Sequence, residues 1–371
     1  MARLPSSFHK LSVRARDALC ELTVTTEQDF ALVEHVLASG NAWHRFERPK
    51  PRGGVRVIYA PETPLMDYLK RVLRNVLQGL EMHRCVHGGH PGRSVITNAR
   101  RHADGGAKAF FLMDLKDAFP SVSQTKFDEV LGVKLRRHIQ SAVDVDAVDA
   151  DAIASVITDI MFVDQILPQG FPTSPGVLNA ILYPVDREIG AYLLDRGTKL
   201  NTTFRYTRYV DDLTISTSSD TIDRETRKAI QKIVLRNGWK IKKSKTSYMG
   251  EAEEGDDERS TKMPVVTGLV VNPDGRLTVP RWKLQKWRAF MHQVVSKEVV
   301  SELDRQKIAG IVGYLGMVYE GAIPSIVRKP YEAAKARFGS GNGRLPEGQS
   351  GEILDPEETP ESMMGHGGTL E

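Results

Sequence analysis

Cysteine is almost absent from this chain, because Cys20 and Cys85 are its only two thiols among 371 residues. Two thiols are too few for the disulfide framework of a small secreted protein or for a four-cysteine zinc site. Long apolar runs are missing too: no stretch approaches the roughly 18 residues that a membrane span needs. The opening residues also lack the apolar core of a secretory signal. These absences predict a cytoplasmic enzyme with no membrane partner.

Charges of the two signs are unevenly distributed along the chain. Residues 339–371 hold seven acidic residues and one basic residue, so this tail carries −6 of a total charge of +4 and leaves +10 on residues 1–338. Residues 251–258 hold six further carboxylates. The remaining residues are therefore strongly basic, which favours a polyanionic partner such as nucleic acid, although basic residues can also serve solubility alone.

Hydrophobic periodicity predicts both helices and strands, and hence an α+β chain. The apolar run 109–113 predicts a buried strand that ends on Asp114, and residues 204–217 predict a hairpin with its turn at Asp211 and Asp212. Residues 339–371 are rich in glycine, proline and glutamate and predict a disordered acidic tail. The other predicted elements are helices within 1–40, 65–80, 123–140, 150–163, 177–185, 221–237 and 281–338, a helix beginning near Ser94, a hairpin at 43–61, and strands at 239–249 and 264–279.

Three aspartates are the strongest candidates for chemistry. Asp114 follows one apolar strand, and Asp211 and Asp212 lie between two others, so the three can converge at one edge of a sheet. Clustered carboxylates repel one another unless a cation neutralises them, and oxygen ligands of this kind suit Mg²⁺ beside substrate phosphates. Two such ions would stabilise the attacking and the leaving oxygen of an in-line phosphoryl displacement. The alternative is that the Asp-Asp pair is only a polar hairpin turn.

Four segments, in this order, resemble the palm motifs of reverse transcriptases. They are FLMDLKDAFPS at 111–121, LPQGFPTSP at 167–175, RYVDDL at 208–213 and IKKSKT at 241–246. Two more segments resemble elements typical of the retron enzymes in that family, namely NARRH at 98–102 and VTG at 266–268. The resemblance covers about residues 40–330. One departure is Val210, where retron and group II intron enzymes usually carry alanine.

The resemblance implies a right-hand polymerase fold with a fingers region, a palm that contains an antiparallel sheet, and a helical thumb. Within the palm, we expect a helical insertion at 123–167 and the acidic loop at 251–258. The implied divisions are an N-terminal helical segment at 1–40, fingers at 41–108, palm at 109–280, thumb at 281–338 and the tail at 339–371.

The resemblance also implies roles for the site residues. Asp114, Asp211 and Asp212 would be the catalytic carboxylates and, with the Leu115 carbonyl, would bind two Mg²⁺ ions, for which Mn²⁺ could substitute. Phe119 stands at the steric-gate position, where a bulky ring selects deoxynucleotides, although it could instead be a core aromatic. The other candidates are Arg56, Arg93, Gln169 and Lys245 for nucleotide binding, and Gly170, Tyr209 and Val210 for contact with primer and template. The basic side chains among them could equally be solvated surface residues.

RNA recognition is implied for the two retron elements and for the first helix after Pro280. Residues 276–338 contain twelve basic residues against five acidic ones, with Trp282 and Trp287 among them. A helical bundle with a basic exterior and tryptophans in its core is the alternative. The candidate RNA-binding residues are Asn98, Ala99, His102, Val266, Thr267, Gly268, Arg281, Lys283, Lys286 and Arg288.

The function that the resemblance implies is RNA-directed DNA synthesis by a retron enzyme. Such an enzyme uses deoxynucleoside triphosphates to copy part of a cognate structured noncoding RNA into single-stranded DNA. It starts from the 2′-hydroxyl of a guanosine, leaves a branched RNA–DNA product and acts in anti-phage defence with a separate effector protein. The alternatives are another bacterial class of reverse transcriptase, group II intron-like or defence-associated, and a non-catalytic RNA-binding scaffold.

Overall fold

The computed structural model describes residues 4–50, 53–251 and 263–338. Within them the chain forms two compact units, the first made of the residues up to Phe46 and those from Ile58 to Pro280, the second of Glu47–Val57 and the residues from Arg281 onward. The predicted disordered tail, and the acidic loop beyond Glu251, lie outside the described residues. The division into fingers, palm and thumb remains a prediction. In the described part of the chain, no helix has the length and apolar character that crossing a membrane requires.

Helices and strands are both abundant, so the predicted α+β class is confirmed. The helices of the first unit are α1 (Val13–Thr23), α2 (Glu27–Ser39), α3 (Thr63–Asn75), α4 (Val95–Ala103), α5 (Gln124–Phe127), α6 (Val133–Ala142), α7 (Ala147–Met161), α8 (Ser174–Ile181), α9 (Tyr183–Leu200) and α10 (Arg224–Arg236). Those of the second unit are α11 (Arg281–Val295), α12 (Glu302–Tyr319) and α13 (Ser325–Phe338). The strands are β1 (Trp43–Pro49), β2 (Val55–Pro61), β3 (Ala109–Asp114), β4 (Phe204–Tyr209), β5 (Asp212–Thr217), β6 (Ser247–Met249), β7 (Val265–Val266), β8 (Leu269–Val271) and β9 (Leu277–Thr278).

Helix ends follow from local side-chain chemistry. Helix α4 begins after Ser94, whose hydroxyl accepts from the Thr97 amide at 3.3 Å while the Thr97 hydroxyl accepts from the Ser94 amide at 2.8 Å, a capping box. Helix α7 begins after Asp146, whose carboxylate accepts two backbone N–H groups of the first turn. Helix α2 ends at Gly40, which has the left-handed φ of 76° that glycine tolerates.

The central sheet has the strand order β4-β5-β3-β6, with every neighbouring pair antiparallel. Strand β3 lies inside the sheet, and all of its residues except the half-buried Leu112 are buried. A strand covered on both faces is expected to be a continuous apolar run, as this one is. In its pairing with β5, Asp114 lies opposite Asp212. The only charged residue of β3 is therefore at its end, beside the hairpin turn.

The structure corrects the predicted strands. The hairpin turn is formed by Val210 and Asp211, because Asp212 already begins β5. The strand predicted at 239–249 is reduced to β6, since a 3-10 helix occupies Lys243–Lys245. The strand predicted at 264–279 is three short strands, because Thr267 and Gly268 turn the chain back with φ angles of 48° and 81°.

Two predicted helices are also shorter than expected. The helix predicted at 65–80 ends at Asn75 and is followed only by a 3-10 turn at Leu77–Gly79. The helix predicted at 123–140 is interrupted by a π-helical turn at Asp128–Gly132. Such a turn inserts an extra residue into the helix, a change that hydrophobic periodicity does not reveal.

A buried ion pair joins the end of β4 to α9. The side chains of Arg208 and Asp186 have no solvent exposure, and Nη2 and Nε of the arginine lie 2.7 and 2.9 Å from the two carboxylate oxygens. Arg208 also donates to Asn179 Oδ1 at 2.8 Å and to the Val210 carbonyl at 2.7 Å, and the Tyr206 hydroxyl donates to Asp186 at 2.6 Å. A buried charge is tolerated when it is paired and hydrogen-bonded in this way.

The same part of β4 holds the loop that precedes α4. The Arg208 amide donates to the Cys85 carbonyl at 2.8 Å, and the His87 amide donates to the Arg208 carbonyl at 2.8 Å. The Asn179 amide group donates to the Gly88 carbonyl at 2.8 Å. The hairpin, helix α8 and this loop are therefore fixed to one another through Arg208 and Asn179.

A buried histidine fixes α4 on the central sheet. The ring of His102 lies 2.7 Å from Ser216 Oγ on β5 and 2.8 Å from Thr207 Oγ1 on β4. Burial lowers the pKa of His102 to about 3, with smaller contributions from nearby cationic groups. The side chain is therefore neutral in the folded protein at physiological pH.

Replacing Arg208 with methionine should strongly destabilise the protein. Asp186 would keep its charge in the interior without its partner, which costs about 3–5 kcal/mol. We expect the free energy of unfolding in urea, followed by circular dichroism, to fall by that amount. The matched substitution Arg14→Met breaks an exposed pair with Asp144 and should cost about 1 kcal/mol or less. Equal losses for the two variants would contradict this assignment.

Acid should destabilise the fold in part through His102. Its pKa is about 3 in the fold and about 6.5 in an unfolded chain, so its contribution is complete above pH 6.5 and is lost as the pH falls towards 3. This group alone should remove about 2 kcal/mol of the free energy of unfolding between pH 7 and pH 5. Between pH 7 and pH 5, the free energy of unfolding of the His102→Gln variant should therefore fall by correspondingly less than that of the wild-type protein. An unchanged pH dependence would show that the histidine does not titrate as argued.

Candidate active site

The structure brings the three predicted aspartates to one edge of the central sheet. Asp114 ends β3 and lies opposite Asp212, the first residue of β5. Asp211 lies in the adjoining turn, where its carbonyl accepts from the Leu115 amide at 3.0 Å. Strand pairing therefore places carboxylates that are about 100 residues apart in sequence on neighbouring backbones.

The turn that carries Asp211 is held in an unusual backbone conformation. Val210 has a φ of 57°, in the left-handed region that a β-branched residue rarely adopts. Such a residue costs about 1–3 kcal/mol and persists only where the surroundings impose it. Here the Arg208 guanidinium donates to the Val210 carbonyl, and Gly88 lies so close that a Cβ there would be 2.6 Å from the Val210 nitrogen.

The ionisation of Asp212 depends on its burial and on the charged groups beside it. Burial, followed by the charges of Asp211 and Asp114, raises the pKa of Asp212 to about 8, although Lys245 opposes this shift. The ammonium group of Lys245 is hydrogen-bonded to the Asp114 carboxylate. Burial lowers the pKa of Lys245, but the bond to Asp114 and the charges of the three aspartates raise it overall. Lys245 is therefore a cation held in contact with this group of carboxylates.

The donor set of this edge fits a divalent cation in its chemistry. Carboxylate oxygens, together with a backbone carbonyl such as that of Leu115, are the ligands that Mg²⁺ prefers. Burial and the neighbouring carboxylates, which raise the pKa of Asp212, disfavour its ionised form, and a divalent cation would stabilise that form. Across residues 4–50, 53–251 and 263–338, no three histidine, cysteine or acidic side chains are already arranged around a metal position. Asp114 would exchange its bond to Lys245 for the cation.

The proline-glycine loop at 167–175 is fixed against the end of β2. The Gln169 carbonyl accepts from the Tyr59 amide at 2.8 Å. Gly170 has a φ of 107°, and a Cβ on it would lie 2.4 Å from the Tyr59 carbonyl oxygen, so only glycine fits. Phe119 is half-buried and packs against the hydrophobic core, so the predicted steric gate is also part of the packing.

The two candidate phosphate-binding arginines lie in different places. Arg56 belongs to the second unit, within Glu47–Val57. Arg93 belongs to the first, where its Nη1 donates to the Arg84 carbonyl at 2.7 Å and to the Val86 carbonyl. Arg93 therefore shapes its own loop, a role that the sequence does not indicate.

The structure corrects the expected RNA contacts of the retron elements. Asn98, Ala99, His102 and Val266 are buried, so their side chains offer no surface to an RNA. Asn98 donates to Thr267 Oγ1 at 3.4 Å, and that hydroxyl donates to the Val95 carbonyl at 3.0 Å. The two elements thus form one structural piece, whose surface consists of the partly exposed turn at Thr267 and Gly268, the half-buried Arg100 and the exposed Arg101.

Helix α11 presents most of its predicted RNA-binding residues to solvent. Arg281, Lys286 and Arg288 are exposed, whereas Lys283 is half-buried with its ammonium 5.1 Å from the centre of the Trp287 ring. Trp287 is buried and therefore a core residue, as the alternative held, while Trp282 is exposed.

Sequence reasoning misses the residues that support the turn from behind. Asp186 and Asn179 bond to Arg208 but belong to none of the family motifs quoted above. One signal was available: Asn179 is polar within an apolar stretch, and Asp186 falls at helical spacing with the apolar Leu182, Val185 and Ile189. A polar residue on a buried helix face needs a buried partner.

Comparison with known proteins agrees with this geometry. Residues 48–269 match the family described as "Reverse transcriptase (RNA-dependent DNA polymerase)". The chain is 28% identical over 301 residues to the Retron Ec73 reverse transcriptase of Escherichia coli, covering 81% of this chain and 90% of that protein. It is 32% identical over 248 residues to the Retron Ec86 reverse transcriptase of Escherichia coli, covering 67% of this chain and 68% of that protein.

Similarity among solved structures is weaker. Apo telomerase from Candida tropicalis has a TM-score of 0.44 and 14% identity, covering 85% of this chain and 64% of that one. A likeness of that degree says nothing about function.

The sequence matches confirm the predicted class of enzyme, an RNA-directed DNA polymerase with the right-hand fold of its family. An RNA template, deoxynucleoside triphosphates and a general dependence on divalent metal follow from that class. By the extent of the family match and the identity to the Ec86 enzyme, the chain belongs to the reverse transcriptase family and, within it, to the retron type.

Proposed function

We propose that this enzyme copies part of a cognate structured noncoding RNA into single-stranded DNA, starting from the 2′-hydroxyl of a guanosine in that RNA. The product would be a branched RNA–DNA molecule. The register of β3 and β5, which sets Asp114 opposite Asp212 and beside Asp211, carries the polymerase part of the proposal. The identity to retron enzymes supports the choice of RNA.

The three aspartates are proposed as the catalytic carboxylates. With the Leu115 carbonyl they would hold two Mg²⁺ ions, or Mn²⁺ as a substitute, which would neutralise the charge that develops during phosphoryl transfer. In that reaction a hydroxyl oxygen forms a bond to the α-phosphorus, and the bond to pyrophosphate breaks. Lys245, no longer bonded to Asp114, would lie near the leaving pyrophosphate.

The remaining residues of the first unit are proposed to bind the nucleotide and the primer–template. The Phe119 ring would exclude a ribose 2′-hydroxyl, and the fixed loop at Gln169 and Gly170 would border the templating base. Tyr209 and Val210, on the constrained turn, would position the primer end. Rigid support of such groups matters because misplacement by about 1 Å can cost a factor of 10² in rate.

The triphosphate is proposed to be gripped by arginine. Guanidinium binds phosphate oxygens through two parallel hydrogen bonds. Arg56 remains the candidate from the second unit. Arg93 would contribute through the nitrogens that do not bond to its own loop.

The RNA partner is proposed to contact the exposed members of the predicted set. Thr267 and Gly268 would present the turn between β7 and β8, and Arg281, Lys286 and Arg288 of α11 would bind phosphates, with Lys283 and Trp287 supporting the helix. Contacts of this kind recognise the shape of a structured RNA rather than its duplex sequence. We further propose that the enzyme acts in anti-phage defence with a separate effector protein.

Incubation of the purified protein with its neighbouring noncoding RNA, Mg²⁺ and deoxynucleotides tests the proposal. We expect DNA that remains linked to RNA after denaturing electrophoresis and becomes free DNA only after the branch is cleaved. DNA synthesis only from an added primer would favour another class of bacterial reverse transcriptase. Tight RNA binding without any synthesis would favour a non-catalytic scaffold.

Replacing Asp212 with asparagine should abolish synthesis without weakening the fold. We expect the rate to fall by about 10³-fold, since several kcal/mol of transition-state stabilisation would be lost. The thermal midpoint should stay or rise, because an amide at this position avoids the cost of a buried ionised carboxylate beside Asp211 and Asp114. Asp220→Asn, at an exposed aspartate beyond the other end of β5, is the matched control and should keep full activity. Retained activity in the Asp212 variant would overturn the assignment.

A further inference from the structure

A cavity of about 870 Å³ opens beside β4 in the first unit. Its walls are the loop from His83 to Arg93, the outer face of α4, the second half of α9 and Phe204–Thr207 of β4. Phe204 pairs with Thr217, whereas Tyr209 pairs with Asp212 beside the carboxylates. The cavity therefore lies towards the end of the hairpin opposite the Val210 turn. Of the residues with a proposed role in nucleotide binding or catalysis, Arg93 alone also lines it.

The charge of this cavity is of one sign. Arg84, Arg93, Arg101 and Arg205 line it, and no aspartate or glutamate does. Among the residues that the structure describes, Arg84, Arg101 and Arg205 form no ion pair. Guanidinium groups that face one another without a carboxylate repel, so this arrangement is stable only with solvent or an anion between them.

Several arginines elsewhere in the same unit have carboxylate partners. Arg14 pairs with Asp144, Arg16 with Glu34, Arg136 with Asp128 and Asp151, and Arg196 with Asp223 and Glu225. Arg84, Arg101 and Arg205 instead share one cavity that no carboxylate lines, which points to an external anionic partner.

The fold makes room for these cations. The turn after α4 carries Gly105, where a Cβ would lie 2.0 Å from Arg205 Nε, so a larger residue would displace that side chain. On the same wall His87 contacts Thr97 Oγ1 at 2.9 Å. Burial, followed by the charges of Arg93 and Arg101, lowers the pKa of His87 to about 4. His87 is therefore neutral at physiological pH and adds no charge to the cavity.

Apolar side chains line the cavity as well. They are Leu193, Leu194 and Phe204, and Leu194 is 71% exposed on α9. An aromatic ring and an exposed aliphatic side chain in the same cavity as arginines match a nucleotide, whose base stacks on apolar surface while its phosphate binds guanidinium. A small inorganic anion would use only the arginines.

We propose that this cavity binds a single-stranded segment of nucleic acid, with phosphates on Arg84, Arg101 and Arg205 and a base against Phe204 and Leu194. The inference rests on the proposed function, since the strand would belong to the RNA partner or to the DNA copied from it. A single strand is specified because bases in a duplex are stacked on each other and cannot turn towards a protein wall.

Binding of a fluorescent 12-nucleotide oligouridine to the full chain, measured by anisotropy over a series of salt concentrations, tests the charge. In the Arg84→Gln/Arg101→Gln variant, the slope of log affinity against log salt should become less negative by about 1.4, because each lost phosphate contact contributes about 0.7. Affinity at 0.1 M salt should fall by about 10- to 30-fold. Lys228→Gln/Lys232→Gln removes two charges from the exposed face of α10 and should leave both values unchanged.

Photocross-linking with a 4-thiouridine oligomer tests the location. Mass spectrometry should find cross-links within residues 193–207 of the wild-type protein. Leu194→Glu places a carboxylate at an exposed position, so it should keep the wild-type thermal midpoint but lose these cross-links. Binding of an oligothymidine of the same length distinguishes DNA from RNA as the bound strand. Affinity equal to that of oligouridine indicates recognition of a backbone that DNA and RNA share, and weaker affinity indicates use of the 2′-hydroxyl.

The proposal is overturned if the arginine variant keeps the wild-type slope and affinity, or if no cross-link falls within residues 193–207. Both results are independent of catalysis, because the oligomer is not a substrate. Failure of RNA-linked DNA synthesis with a normal binding result would overturn the proposed function while leaving this cavity as a nucleic-acid site. Normal RNA-linked DNA synthesis together with an unchanged salt slope in the arginine variant would overturn this cavity as a nucleic-acid site and leave the proposed function standing.

Discussion

The buried pair of Arg208 and Asp186 is the interaction on which the rest of the site depends. One guanidinium group bonds to α9 through Asp186, to α8 through Asn179, and to the turn between β4 and β5 through the Val210 carbonyl. Two charges in the interior bring little net stability when compared with an apolar pair, because both must be removed from water. Their contribution here is to fix the position of the turn. Hydrogen bonds have a defined geometry and therefore place the turn more exactly than apolar contacts alone would.

The constrained turn explains how the carboxylates can be held together. Three acidic groups at one edge repel, and the fold would relieve that repulsion by moving them apart if the backbone were free. Register fixes Asp114 against Asp212, the buried network fixes the turn that carries Asp211, and Lys245 partly neutralises the group. The fold itself thus brings the carboxylates together, and the proposed divalent ions would bind to a site that is already assembled.

Much of this could be predicted from the sequence, for physical reasons that also set the limits. The β3 run and the hairpin of β4 and β5 were predictable because period and apolarity are local properties, and the aspartates were predictable because a motif places them at strand ends. The buried positions of Asn98 and His102 were not predictable. A motif shows that a residue type is needed at a position, but it does not show whether the side chain contacts a ligand or the core. The short strands after β6 were missed because turns at residues such as Thr267 depend on tertiary contacts. The role of Arg208 was missed because its partners Asp186 and Asn179 are more than 20 residues away.

The close packing of Gly88 against Val210 has a consequence for how this chain can change in evolution. The backbone of Val210 fills the space that a side chain on Gly88 would need. Any larger residue at position 88 would push the loop and the turn apart. A smaller side chain at position 210 would not relieve this clash, because the backbone nitrogen is itself too close. Glycine at position 88 is therefore required by the turn whichever side chain follows Tyr209.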